Sequence, residues 1–354
     1  MATSTLIYNL LMAVIDALLL VWLSRRRTFV AWLLVGLTGL TAAACLAFGV
    51  ASAVDPDRFV AMRLAAYGLF LHEIALLAGA AMVLRRARPA GAIVSLGFAL
   101  VGVAVAWDAF LVEPHWLEVS RIRLVAPPLS KPMRLVLMAD LQTDTFGPYE
   151  RDVVRRVMQE KPDVILLGGD YLQADNATRA ELRRQMGSFL REIRFSAPQG
   201  VFAVQGNVDP DDWPALFAGL PVTTIERTRS FDLGPVRLTC LSEADSFRRR
   251  LKVPSVGPGR FHVVLGHAPS YAMGKVQADL LLAGHTHGGQ VRLPWIGPIT
   301  TLSPVPRHWC SGCTELPGGA RLYVSRGIGM ERGRAPRLRF FCRPELVVID
   351  LVPK

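Results

Sequence analysis

Gly284-His285-Thr286-His287-Gly288-Gly289-Gln290 follows the apolar run Leu280-Leu281-Leu282-Ala283 without a break. A short apolar run closed by glycine reads as a buried strand entering a turn. Two imidazoles two residues apart then leave that one turn, and the glycines let the backbone come close to whatever the rings hold. Imidazole is the commonest protein ligand of transition metals, so the next question is what stands at the other strand ends.

The same design recurs upstream. Arg134–Ala139 ends in Asp140, and Asp163–Gly169 ends in Asp170. Gly200–Gly206 ends in Asn207, and Phe261–Gly266 ends in His267. Amphipathic helices are expected near Tyr149–Glu160 and Ala177–Phe195. Ligands of open α/β folds gather at the carboxyl ends of strands, so these termini can converge. Val222–Asp232, Val236–Ser242, Arg321–Ser325 and Leu346–Val352 alternate or run apolar like strands of a second sheet. Two sheets with helices outside is the expected α/β architecture.

The first third of the chain has another character. Leu6–Leu23, Phe29–Val54, Phe59–Leu84 and Gly91–Val112 are almost continuously apolar, each long enough at roughly 20 residues to cross a bilayer as a helix. A secretory leader is disfavoured, because the arginines follow the first run rather than precede it. The expected organisation is an all-α, four-span transmembrane domain over 1–116 and an α/β domain over 117–354. Arg25-Arg26-Arg27 and Arg85-Arg86-Ala87-Arg88 mark the cytoplasmic loops by the positive-inside rule. An even number of spans then places everything after Val112 on the extracytoplasmic side of a plasma or inner membrane. Inside the spans, Asp16, Asp108 and the His72-Glu73 pair either mark a proton or ligand path or satisfy one another within the bundle.

Eight basic and six acidic residues fall before Leu117, which leaves about +9 of the net +11 on the remainder. A basic domain tethered to a bilayer suits anionic headgroups or phosphorylated lipids. Nucleic acid is not expected as a partner, since no aromatic-basic interleaving or binding module occurs. Five cysteines make no disulfide framework, although Cys310-Ser311-Gly312-Cys313 allows a local disulfide, half a zinc site or plain thiols. Oligomeric state leaves no mark on the sequence.

Taken in order, Asp140-Leu141-Gln142, Gly169-Asp170, Gly206-Asn207-Val208-Asp209, Gly266-His267 and Gly284-His285-Thr286-His287 resemble the calcineurin-like metallophosphoesterase superfamily. The resemblance covers most of 130–352. The Gly-Gly-Gln tail and Tyr323-Val324-Ser325-Arg326-Gly327 are similar to its membrane-associated branch of phosphodiesterases and pyrophosphatases acting on lipid-linked substrates. It implies a two-sheet αββα sandwich and two adjacent divalent ions. Asp170 would bridge them, Asp140 and His287 would hold the first, and Asn207, His267 and His285 the second. Oxygen ligands mixed with imidazole suit Mn²⁺ first, with Fe or Zn²⁺ also compatible. The resemblance further implies that two such ions would lower the pKa of a bridging water, whose hydroxide would attack phosphorus in line.

Two positions depart from the superfamily pattern. Gln142 stands where a histidine is expected on the first ion; its oxygen can coordinate, but as a weaker, neutral donor. Val208 replaces the histidine that usually serves the leaving group, and valine cannot donate a proton. General acid catalysis contributes about 10²–10⁴-fold, so its loss is easiest to tolerate when the leaving group is itself a weak base. Asp209 could orient a substitute acid or cap a following helix, and His308 is a distant candidate acid. The resulting reading is a membrane-anchored hydrolase of phosphodiester or pyrophosphate bonds in a lipid-linked substrate. The alternative is a degenerate, nonhydrolytic phosphate- or metal-binding module on a membrane bundle.

Overall fold

The computed structural model describes residues 2–354, which divide into two compact units. One runs to Leu111 and takes in Gly333–Arg337; the other comprises Val112–Arg332 and Leu338–Lys354.

In the first unit, apolar composition makes helices, and local chemistry sets their ends. Ala2–Arg26 and Phe29–Val54 are separated by Thr28, whose hydroxyl accepts the Ala31 N–H as an N-cap. Asp57 does the same for Phe59 at the start of Arg58–Tyr67. That helix passes through a π-helical turn at Gly68–Glu73 into Ile74–Leu84. Pro89, which has no N–H to leave unpaired, opens Pro89–Trp107. Four helical stretches, Thr3–Arg26, Phe29–Val54, Arg58–Leu84 and Pro89–His115, are long and apolar enough to cross a membrane. Their outward side chains, such as Leu18, Phe48 and Ile93, are apolar and exposed, while alanines, Tyr8, Met12 and Leu64 pack inside. Small residues at the contacts let apolar helices approach closely. Within this bundle the His72 ring bridges Asp16 at 2.7 Å and Asn9 at 2.9 Å, while Asp16 Oδ1 and Glu73 Oε2 are buried without a hydrogen-bond partner. Arg334 pairs with Asp55 in the loop between the second and third long apolar helices, which accounts for the grouping of 333–337 with the helices.

The second unit holds two six-stranded sheets. In the first the order is Glu118–Val125, Glu345–Val352, Met133–Met138, Val164–Leu167, Val201–Val204, Val222–Ile225. In the second it is Gly312–Glu315, Arg321–Val324, Leu280–Ala283, Phe261–Leu265, Val236–Cys240, Arg229–Leu233. Four consecutive strands in each sheet run parallel, from Met133–Met138 to Val222–Ile225 and from Arg321–Val324 to Val236–Cys240. Strand alternation divides the side chains cleanly. Leu135, Leu137, Leu166, Phe202 and Ile349 face Leu238, Val263, Leu265 and Leu282 in a core between the sheets. Val136, Ile165, Leu167 and Val348 pack outward against the helices Pro148–Gln159 and Asn176–Glu192. The outer face of the second sheet is covered by the short helix Glu243–Phe247, a 3₁₀ turn at Pro269–Met273 and irregular chain.

Sheet membership differs from the sequence reading. Val222–Ile225 and Glu345–Val352 belong to the first sheet, while Phe261–Leu265 and Leu280–Ala283 belong to the second. Apolar alternation reports a strand and its faces but not its partner, which long-range pairing selects. All five cysteines are free, so Cys310 and Cys313 form no local disulfide.

Candidate metal centre

Each predicted ligand follows a parallel strand, so the carboxyl ends of both sheets meet at one place. Asp140 comes after Met133–Met138, Asp170 after Val164–Leu167 and Asn207 after Val201–Val204. His267 follows Phe261–Leu265, and His285 and His287 follow Leu280–Ala283. Candidate ligand atoms of Asp170, His267 and His285 lie within 4.8 Å of one another. The convergence is reached through unusual backbone. Asp140, Gln142, Asp170, His285 and His287 all have positive φ, between 34° and 71°. L-residues rarely adopt it, at roughly 1–3 kcal/mol each, and such strain gathers where a side chain must be aimed.

Glycines make room for this approach. A Cβ on Gly206 would fall 2.1 Å from Asp170 Oδ1, and one on Gly284 would fall 2.7 Å from Asp140 Oδ2. The carboxylates are braced by backbone donors: the His285 N–H donates to Asp140 Oδ2 at 2.8 Å, and the Val208 N–H to Asp170 Oδ1 at 3.0 Å. Asp209 is committed to support. Its carboxylate accepts the N–H groups of Asp170, Tyr171 and Gly206 at 2.8–2.9 Å, tying two strand-end loops together. It caps no helix, because the next helical turn begins at Trp213 with Asp212 before it. His308 is exposed on the turn Arg307–Trp309.

The hydrogen bonds decide which way the donors point. The Gly168 carbonyl can only accept, so His267 Nδ1, 2.8 Å away, carries the proton. The lone pair on Nε2 then faces Asn207 Oδ1 at 3.0 Å and Asp170 Oδ2 at 3.4 Å. With the Asn207 oxygen turned inward, three lone pairs face one another, an arrangement that a cation between them would relieve. Gln142 is oriented by its neighbours Gln173 and Glu331. The Arg332 N–H donates to Gln173 Oε1, which leaves Gln173 Nε2 to donate to Glu331 Oε1 at 2.7 Å. The Gln142 amide nitrogen donates to Gln173 Oε1 at 3.0 Å and Glu331 Oε2 at 3.1 Å. Both partners are acceptors, so the amide cannot be reversed. Gln142 Oε1 is therefore buried with no hydrogen-bond partner, and His287 Nδ1 is in the same condition.

Electrostatics agree with the geometry. Burial, then repulsion from Asp170, raises Asp140 well above the usual carboxylate range. Burial lifts Asp170 to about 7 against the opposing Val208 N–H, and lifts Asp209 to about 7 with Asp170 adding to it. Burial lowers His267 to about 4 and His287 well below an ordinary imidazole, keeping both neutral, as ligands must be. Buried carboxylates beside neutral imidazoles with unpartnered lone pairs fit a pair of divalent cations.

Several supporting residues carry little signal in the sequence. Gln173 and Glu331 hold Gln142, and the Glu331 N–H is itself held by Gln290 Oε1 at 2.6 Å. The only sequence trace of this link is the polar end of the Gly-Gly-Gln tail. Arg339 is fully buried and donates to the carbonyls of Arg326, Gly327, Gly329 and Cys342, beneath the loop that abuts Asp140. An arginine between Leu338 and Phe340, one of five arginines from Arg332 to Arg343, carries no signal that sets it apart.

The family sequence model for the calcineurin-like phosphoesterase matches residues 133–289. Phosphodiesterase YaeI of Escherichia coli (strain K12) is 30% identical over 262 residues, covering 68% of this chain and 90% of that protein. UDP-2,3-diacylglucosamine pyrophosphatase LpxG of Chlamydia muridarum is 23% identical over 327 residues, covering 73% of this chain and 97% of its own length. A solved dimetal phosphatase from Danio rerio, 13% identical, covers 59% of this chain and 91% of that one with a TM-score of 0.35. Joined to a centre whose lone pairs call for cations, the family match and the likeness to YaeI establish that this chain belongs to the calcineurin-like phosphoesterase family and is a metal-dependent phosphoesterase.

Proposed function

We propose that the chain is a membrane-anchored phosphodiesterase or pyrophosphatase acting on a lipid-linked phosphate at an extracytoplasmic membrane surface. The observation that carries the chemistry is the pair of orphaned donors, Gln142 Oε1 and His287 Nδ1, beside the carboxylates and the His267 lone pair. Asp140, Gln142, Asp170 and His287 would hold one ion, and Asp170, Asn207, His267 and His285 the other. Two divalent ions bound there, Mn²⁺ foremost, would activate water and neutralise charge on the phosphate. The protein's own part is to aim these donors and keep them dry, with Asp209 clamping the Asp170 and Asn207 loops.

Val208 restricts the substrate. Only its backbone N–H reaches the centre, at Asp170 Oδ1, and its isopropyl group offers no proton. Bonds whose leaving oxygen is already a weak base, as in a pyrophosphate or an acidic diester, fit this arrangement better than alkyl monoesters. The relatives named for a phosphodiesterase and a lipid-linked pyrophosphatase support the same range. The tether favours amphiphiles, because four apolar helices keep the site at a lipid surface.

The side of the membrane rests on the arginine clusters at 25–27 and 85–88. A C-terminal fluorescent or protease-sensitive reporter should report the extracytoplasmic face; cytoplasmic fluorescence without external cleavage reverses the orientation. For substrate, the full-length chain in nanodiscs with Mn²⁺ should cleave a lipid phosphodiester or lipid pyrophosphate faster than an alkyl phosphomonoester. Preference for the monoester would overturn the leaving-group argument.

A further inference from the structure

The turn Gly284–Gln290 runs straight into a small hairpin, Arg292–Leu293 paired antiparallel with Gly297–Pro298. Its tip carries Pro294, Trp295 and Ile296. Trp295 is 103% exposed on a left-handed backbone (φ 64°), and Ile296 and Ile299 are 64% and 59% exposed. Leu293 and Leu302 are exposed on the same excursion. A full indole and several branched side chains standing together in water mark a surface that something covers.

The chemistry of the rim and the position of the root both bear on what covers it. From Val291 to Cys313 there is no Asp or Glu, whereas Arg292, Arg307 and His308 are present. Arg307 is exposed and donates to the Pro298 carbonyl, and Arg292 donates to Gly288 and Ser311, so cations flank the legs of the hairpin. Tryptophan at a tip with basic groups behind it suits an anionic membrane interface. Protein interfaces also favour Trp and Arg, so the root decides. Val291 bridges to Phe340, and the next two N–H groups, of Phe341 and Cys342, donate to Glu113. Glu113 directly follows the π-helical turn Asp108–Val112, in which the fourth apolar stretch ends. Phe341 is itself 59% exposed, and the Arg343 guanidinium lies 3.6 Å over the Trp116 ring. The hairpin is thus rooted where the chain leaves its last apolar helix, and the bilayer is the partner always within reach.

We propose that the hairpin Val291–Leu302 is an interfacial anchor that sets Trp295 and Ile296 among the headgroups of an anionic bilayer. Resting on the lipid-substrate reading above, it gives the metal turn a fixed height over the membrane, since a Cβ on Gly289 would fall 2.5 Å from Pro298. A substrate phosphate emerging from the bilayer would then meet the strand ends without leaving the interface.

The test compares the full-length chain with Trp295→Phe in nanodiscs of phosphatidylglycerol and brominated phosphatidylcholine. The emission component lost in Trp295→Phe should be quenched by bromine on the lipid and protected from aqueous iodide. Quenching by iodide and not by bromine overturns the anchor and points to a protein partner. No turnover is needed, so this result stands apart from the substrate reading. Where an amphiphilic diester is cleaved, Trp295→Asp with Ile296→Asp should raise its apparent KM roughly 10-fold and leave kcat unchanged. Turnover of soluble bis(p-nitrophenyl) phosphate should also be unchanged; an equal loss on both substrates counts against the anchor.

Discussion

The two halves of the metal centre draw on different spans of the chain. The cradle proposed for the second ion, Asp170, Asn207, His267 and His285, comes entirely from strand ends, with one backbone carbonyl, that of Gly168, setting the decisive tautomer. The cradle proposed for the first ion keeps Asp140 and His287 but depends on the neutral Gln142. That amide is held by Gln173 and by Glu331, which lies far along the chain in an irregular segment. One half inherits its geometry from parallel strands. The other needs a hydrogen-bond network to aim a weak donor, as outer partners of metal ligands commonly do.

The largest effect should come from the residue that both halves share. Asp170→Asn removes the bridging charge and should lower Mn²⁺-dependent hydrolysis of bis(p-nitrophenyl) phosphate by roughly 10³-fold. Undiminished turnover would dissolve the division into two linked cradles and revive a nonhydrolytic role for the site. Next comes Val208→His, beside the second cradle. It should raise cleavage of esters with poor leaving groups by up to about 10²-fold, with little gain on p-nitrophenyl diesters. A uniform change across leaving groups would remove the argument from the missing acid.

The smallest effect should touch one cradle alone. In Glu331→Gln an acceptor becomes partly a donor, which frees Gln142 to turn its oxygen away. Mn²⁺ titration followed by electron paramagnetic resonance should show the weaker of two sites losing about 10-fold in affinity while the tighter site stays put. Equal weakening of both sites, or of neither, would show that the network does not serve the first ion. A single equivalent bound by the unaltered chain at saturation, with full activity, would remove the two-ion account altogether.

Much of this centre is legible locally. A strand that ends in a glycine and a ligand residue is a contiguous signal, and five in order single out Asp140, Asp170, Asn207, His267, His285 and His287 from the sequence alone. The apolar helices are equally plain, because burial in lipid or protein demands long unbroken runs. Sheet membership is not legible: Glu345–Val352 reads like any buried strand, yet it sits between Glu118–Val125 and Met133–Met138. The task of Asp209 is open in the sequence because a carboxylate after a glycine-rich turn has several uses. Only its three N–H partners select one.

The sequence alone determined the kind of chemistry, the candidate ligand residues and the helices fit to span a membrane, since each is written in residues adjacent along the chain. Tertiary structure decided the direction of the donors that hydrogen bonds fix: which nitrogen of His267 is bare, which end of Gln142 faces inward, and what Asp209, Glu331 and Arg339 hold. Those choices depend on hydrogen-bond partners brought together from distant segments, and no local pattern encodes such a meeting.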